Sequence, residues 1–91
     1  MDDLGAPISY MVLERGVAVF SSDGDRLGHV VSVERDVATD IFDGIVFAAE
    51  ARFVGSRFVD APEVGAIYER GVILRIDATA AAELPERGRF A

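Results

Sequence analysis

Short apolar runs alternate with turn residues along this chain, and the spacing between turns is about ten positions, as in small all-β domains. The plainest unit covers residues 16–36, GVAVFSSDGDRLGHVVSVERD. Residues 17–20 are β-branched and aromatic and stop at Ser21, Ser22 and Asp23, which predicts a strand. Asp23 and Gly24 predict a hairpin loop of about three to five residues, because glycine takes positive φ without cost and aspartate hydrogen-bonds its own backbone. The second strand runs over 27–35. Its alternation sets His29, Val31, Val33 and Arg35 on one face and Val30, Ser32 and Glu34 on the other. The mixed apolar character at Val30 and Val31 predicts a bulge or bend, the device by which a small barrel turns its corners.

Downstream, residues 36–43 (DVATDIFD) read as an acidic connector that exposes Ile41 and Phe42. Residues 44–49 (GIVFAA) are apolar on both faces and predict a central third strand. The chain turns over 50–55, and a fourth strand starts at Phe53 and Val54 and continues through Asp60. Ala61, Pro62, Glu63 and Val64 predict a single helical turn, since proline suits a first helical position and acids suit that end. Residues 69–71 are a turn and 72–76 (VILRI) the fifth strand. Asp77 stands as N-cap to a helix over 78–84, which Pro85 ends. At the other end, residues 1–7 read as a frayed leader. Residues 8–14 (ISYMVLE) fit either a short strand or one to two helical turns, with Ile8, Met11 and Val12 at the helical spacing. The division is thus a leader with a short helix or strand at 1–15, a β domain at 16–77, and a helix and tail at 78–91. The fold class is mainly β: a small barrel of about five to six short antiparallel strands with a short C-terminal helix.

Composition bounds the function. Ninety-one residues make one domain, and 51% apolar residues exceed what so small a core absorbs, so a homo-oligomer, a dimer, is expected. Without cysteine there is no disulfide, thiolate nucleophile or cysteine metal site. No basic signal segment and no membrane-length apolar run are present, which predicts a cytoplasmic protein. The net charge is −7 and every basic residue is arginine, the codon bias of a GC-rich, bacterial-type genome. Such a chain is repelled by phosphate backbones and anionic lipid, which argues against nucleic acid and membrane and leaves a basic protein partner compatible.

Catalytic chemistry is not visible. His29, the single histidine, would need an orienting carboxylate to act as base or pH switch. Glu34 and Asp36 are its neighbours in sequence. Asp23, Asp25, Asp36, Asp40 and Asp43 lack the ligand spacing of a calcium loop and read as solvated turn carboxylates. Ser21, Ser22 and Ser56 have no nucleophile elbow, and no phosphate loop or dinucleotide fingerprint occurs. The reading is no enzyme and no cofactor. The candidates for partner binding are Ile41, Phe42, Arg52, Phe53, Arg57 and Phe58, since aromatic and arginine side chains dominate interface energetics.

The order Gly16, Val17, Val19, then Ser22, Asp23, Gly24, then Leu27, Gly28, His29, Val30, then Asp36 resembles the opening hairpin of PRC-barrel domains. Gly44 to Phe47 resembles that family's third strand. Phe58, Val59, Asp60 and Ala61 followed by Val64 resemble its next segment, although Asp60 stands where proline is common. Val72, Ile73 and Leu74 resemble its closing strand, so the likeness covers residues 16–77. Members of the family form the cytoplasmic part of the photosynthetic reaction centre's H subunit and the C-terminal domain of a ribosome maturation factor. The resemblance implies a non-catalytic interaction or adaptor module. The alternative is a regulatory domain that binds a small molecule or ion at the barrel mouth, with the acidic loops and His29 as ligands.

Overall fold

Residues 16–36 fold as the hairpin their alternation predicts. A computed structural model describes residues 3–50 and 55–87. In it β1 (Ala18–Phe20) pairs antiparallel with β2 (Arg26–Asp36). The loop over 21–25 is closed by the Ser21 amide donating to the Asp25 carbonyl (2.9 Å) and the Asp25 amide donating to Ser21 Oγ (3.1 Å). Ser21 is fully buried, and its hydroxyl also donates to Asp23 Oδ1, which holds the Asp23 carboxyl below its ordinary pKa. The expected bulge is present as a register shift between Val30 and Ser32.

β2 is the spine of the sheet. β3 (Ile41–Ala49) returns antiparallel along its whole length, and β4 (Ser56–Asp60) pairs antiparallel with β3. A one-turn 3-10 helix, Ala61–Glu63, carries Pro62 in its first turn, as expected, and leads into β5 (Val64–Tyr68). β5 pairs antiparallel with β6 (Gly71–Leu74), and β6 lies parallel to β1. After α1 (Ala78–Ala81), β7 (Glu86–Arg87) pairs antiparallel with β4. The result is one seven-stranded sheet in the order β5-β6-β1-β2-β3-β4-β7, with β5 and β7 as its edges. The Cα radius of gyration, 12.2 Å, matches the value of about 12 Å for a compact chain of this length.

The mainly-β class is therefore present, with differences from the sequence reading. The sheet is not wholly antiparallel, because β6 occupies the free edge of β1 in parallel. Side-chain alternation fixes which face a residue takes but not the direction of a distant partner strand. There are more strands than the five to six expected. β5 (VGAIY) carries Gly65 and Ala66 and a register shift between Val64 and Ala66, so it lacks clean alternation. β7 is two residues long. The region 36–43 is no open connector: Asp36 Oδ1 accepts from the Ala38 amide (2.9 Å), Asp40 takes φ 58°, and the ladder resumes at the Asp36–Ile41 pair. The C-terminal helix is shorter than 78–84, since Glu83 and Leu84 bond three residues back before Pro85. Asp77 caps it as expected, Oδ1 accepting from the Ala80 amide at 2.8 Å.

Residues 4–7, expected to be part of a frayed leader, are instead held in place. Leu4 and Ala6 carbonyls accept from the Arg70 and Glu69 amides (2.8 and 3.0 Å), and the Ile8 amide donates to Ile67 (3.0 Å). These bonds cover part of the outer edge of β5, where unpaired backbone groups would otherwise face a competing strand. Of the two alternatives for the next segment, the helical one forms, as a 3-10 turn over Tyr10–Val12 whose Met11 amide donates to Ser9 Oγ. One core cluster forms: Val19, Val30, Ile45, Phe47, Val59, Val72 and Leu74 are essentially inaccessible, joined by Leu13, Leu27 and Ala81.

Candidate functional site

Among the described residues, the large apolar side chains left in water fall on two segments that meet at one end of β2. Met11 and Val12 are 60% and 61% exposed, Val37 is 85% exposed and Ile41 58%. Met11 and Val12 belong to the 3-10 turn, while Val37 and Ile41 flank the turn between β2 and β3. A stack holds the two pieces together: the Tyr10 and Phe42 rings lie with centroids 4.6 Å apart and planes 16° apart. Tyr10 Oη also donates to the Asp40 carbonyl at 3.1 Å.

The stack depends on a local irregularity. Glu34 pairs with Gly44 and Arg35 with Phe42, so Asp43 has no opposite residue. That extra residue turns Phe42 onto the face of Ile45, where it packs against the core. Tyr10 then covers the outer side of Phe42, and a cleft of about 340 Å³ opens between Tyr10, Met11, Leu13, Val33 and Arg35. Carboxylates surround this end: Asp36, Asp40 and Asp43 are all exposed, and Arg35 is held by Asp40 at 3.0 Å. The arrangement can bury an apolar side chain and attract positive charge. It holds no nucleophile with a base beside it.

The sequence candidates separate. Ile41 and Phe42 stand at this end, the first exposed and the second half-buried. Arg57 and Phe58 pair with Phe47 and Val46, about five residues further along β3 and hence about 16 Å away. Arg57 Nη1 donates to the Leu84 carbonyl (3.0 Å), and the Phe58 amide donates to Pro85, so this pair pins the C-terminal segment to β4. Arg52 and Phe53 lie outside the described residues. Tyr10, Met11, Val12 and Val37 were not singled out by sequence; the helical spacing of Met11 and Val12 signals a buried face, and here that face meets solvent.

His29 finds its carboxylate in Glu50, not in Glu34 or Asp36. His29 Nδ1 lies 3.2 Å from Glu50 Oε2, and Arg26 Nε and Nη2 donate to the two Glu50 oxygens at 3.2 Å each. The His29 hydrogen bond, with that of Arg26, holds the Glu50 carboxyl below its ordinary range. The trio sits at the opposite end of β2 from the apolar surface. Among the described residues no three His, Asp or Glu side chains gather to hold a metal ion, and no helix is long and apolar enough to cross a membrane.

No protein-family model and no curated protein matches this chain.

Proposed function

We propose that this chain is a non-catalytic, PRC-barrel-like interaction module that associates with itself and docks another protein through the end formed by the 3-10 turn and the β2–β3 hairpin. One observation carries the reading: Met11, Val12, Val37 and Ile41, all large and apolar, stand exposed on the two segments that the Tyr10–Phe42 stack joins. Apolar side chains dispersed over a surface are ordinary, whereas a contiguous group rimmed by polar residues marks an interaction site. The rim of Asp36, Asp40 and Asp43 suits a partner segment that is apolar with basic flanks.

The barrel assignment has its own support. Register shifts at Val19/Phe20, Val30/Ser32, Glu34/Arg35 and Val64/Ala66 each tighten the coil of the sheet. The sheet is not closed, but β4 and β5, which lie near opposite ends of the strand order, are joined by only three residues, as the corner of a small barrel would require. The family's adaptor role would follow from that fold, and the absence of cysteine suits a reducing cytoplasm.

Affinity capture from a native lysate on the wild-type chain and on the Val37→Asp/Ile41→Asp double variant tests the docking face, with light scattering at micromolar concentration for self-association. Both substituted positions are solvent-exposed, so stability should move by no more than about 0.5 kcal/mol for each. Proteins held by the wild type and released by the variant support the proposal. A strictly monomeric wild type, or one that holds the same proteins as the variant, overturns it.

A further inference from the structure

We infer a second site at the other end of β2: a cleft that binds a small oxyanion, a free phosphate or carboxylate ligand, through the guanidinium groups of Arg15, Arg26 and Arg70. The cleft has a volume of about 430 Å³, and residues 16–18 and Glu69 complete its lining. That size falls within the range of small-molecule sites.

Arginine is the scarce charge here, nine residues against sixteen carboxylates. Solvation alone would scatter those nine among their acidic neighbours. Three of them instead line one cleft from positions 11 and 55 residues apart, 15 to 26 and 15 to 70. The backbone fixes where each starts. Arg26 opens β2, and Arg70 precedes Gly71, which pairs with Ala18. Arg15 precedes Gly16, whose amide donates to Val30 at 2.8 Å.

Their charges are unevenly compensated. Arg26 is committed to Glu50 through two hydrogen bonds. Arg70 reaches Glu69 and Asp3 only at 3.9 and 4.0 Å and donates to the Asp3 carbonyl at 3.4 Å. Arg15 makes no ion pair among the described residues. Glu69, the one carboxylate in the lining, is drawn toward the leader, where it accepts from the Ala6 amide at 3.1 Å. Each guanidinium carries five N–H donors in a planar fork that matches a carboxylate or phosphate edge. Arg15 and Arg70 therefore bring unspent donors to one place.

The charge of the whole chain limits the ligand. At −7 the protein repels a polyanion along its length, while a small anion inside the cleft feels mainly charges within a Debye length of about 8 Å, where Glu50, Glu69 and Asp3 offset Arg26 and Arg70 and the charge of Arg15 has no carboxylate paired with it among the described residues. A small ligand fits and a nucleic acid does not. Arg26 opens the eleven-residue strand whose other end leads to Val37 and Ile41 of the docking surface.

Titration of the full chain with inorganic phosphate, and separately with citrate, against chloride at matched ionic strength tests the proposal by amide chemical shifts. Saturable shifts confined to residues 15–18, 26 and 69–71 are expected, with affinity at least about tenfold weaker in Arg15→Gln/Arg70→Gln. Saturation by phosphate alone assigns a phosphate ligand, and saturation by both anions a general oxyanion site. The single variant Arg15→Gln removes no bond of the described fold and gives the same reading if the double variant is unstable. The docking variant Val37→Asp/Ile41→Asp should titrate as the wild type does. Non-saturating or scattered shifts, shifts reproduced by chloride, or unchanged affinity in the arginine variants would overturn the site.

Discussion

Tyr10 lies flat on Phe42, ring on ring at 4.6 Å, and thereby ties the N-terminal turn to the hairpin that precedes β3. Such stacks contribute about 0.5–1.5 kcal/mol beyond the area they bury. Tyr10→Ala should therefore destabilise the fold by about 2 kcal/mol, within the ordinary range for a partly buried aromatic. Tyr10→Phe keeps the stack and loses only the exposed bond to Asp40, so its cost should be about 0.5 kcal/mol. Urea unfolding of both variants checks the pair. Equal losses would mean that the hydroxyl, not the ring contact, carries the attachment.

Gly28 allows the closest backbone approach in the β2–β3 ladder. A Cβ there would collide with the Ala48 carbonyl oxygen, on the strand paired with it. Gly28→Ala must push the strands apart at a buried position, for about 2–3 kcal/mol. Gly16 makes the comparison, since a Cβ there meets nothing and only its φ of 91° resists alanine. Gly16→Ala should cost about 1 kcal/mol. If thermal melts rank Gly16→Ala as the worse of the two, the steric account of Gly28 fails.

Features that depend on a few adjacent residues were legible in the sequence. Asp23 and Gly24 gave the loop, Val30 and Val31 the bulge, Pro62 the helical turn, Asp77 the cap, and the unbroken apolar run at 44–49 a strand flanked on both sides. Features set by distant pairing were not. Glu50 meets His29 because the β2–β3 register sets His29 beside Ala48, a fact no local pattern contains. Arg15 and Arg70 share a cleft only because β6 lies parallel to β1. Phe42 turns inward through one unpaired residue, Asp43, and a slip of one position exchanges the faces of a strand. The apolar end was half legible: Ile41 and Phe42 stood out as aliphatic and aromatic residues in an acidic turn, but the contact of Phe42 with Tyr10 spans some thirty residues.

Asp77 terminates the loop after β6 and starts α1, whose Ala81 is fully buried against the core. Removing the cap leaves the Ala80 amide without its partner, and losses of this kind run to about 1 kcal/mol. Asp77→Ala should show that loss in chemical unfolding, together with faster hydrogen exchange at Ala80. Asp77→Asn should retain most of the stability, because its side-chain oxygen still accepts. An alanine variant with unchanged exchange at Ala80 would show that packing of Ala81 alone holds the helix.

The His29–Glu50–Arg26 trio makes a prediction with a definite direction in pH. Hydrogen bonds from His29 and Arg26 lower the Glu50 pKa in the folded chain, so folding favours the ionised carboxylate. The stabilisation is complete above the unfolded value of about 4.5 and disappears as pH falls through the lower folded value. Glu50→Gln should therefore be less stable than wild type at about pH 6, and the difference should close as the solution is acidified to about pH 3. With the Glu50 side chain 38% exposed the effect is small, and it weakens further in salt. Carboxyl-resonance titration reads the same quantity directly: the Glu50 midpoint should lie below the ordinary glutamate range and move up in His29→Ala and in Arg26→Gln. A wild-type midpoint at the ordinary value, unmoved by either substitution, would show that the trio does not hold together in solution.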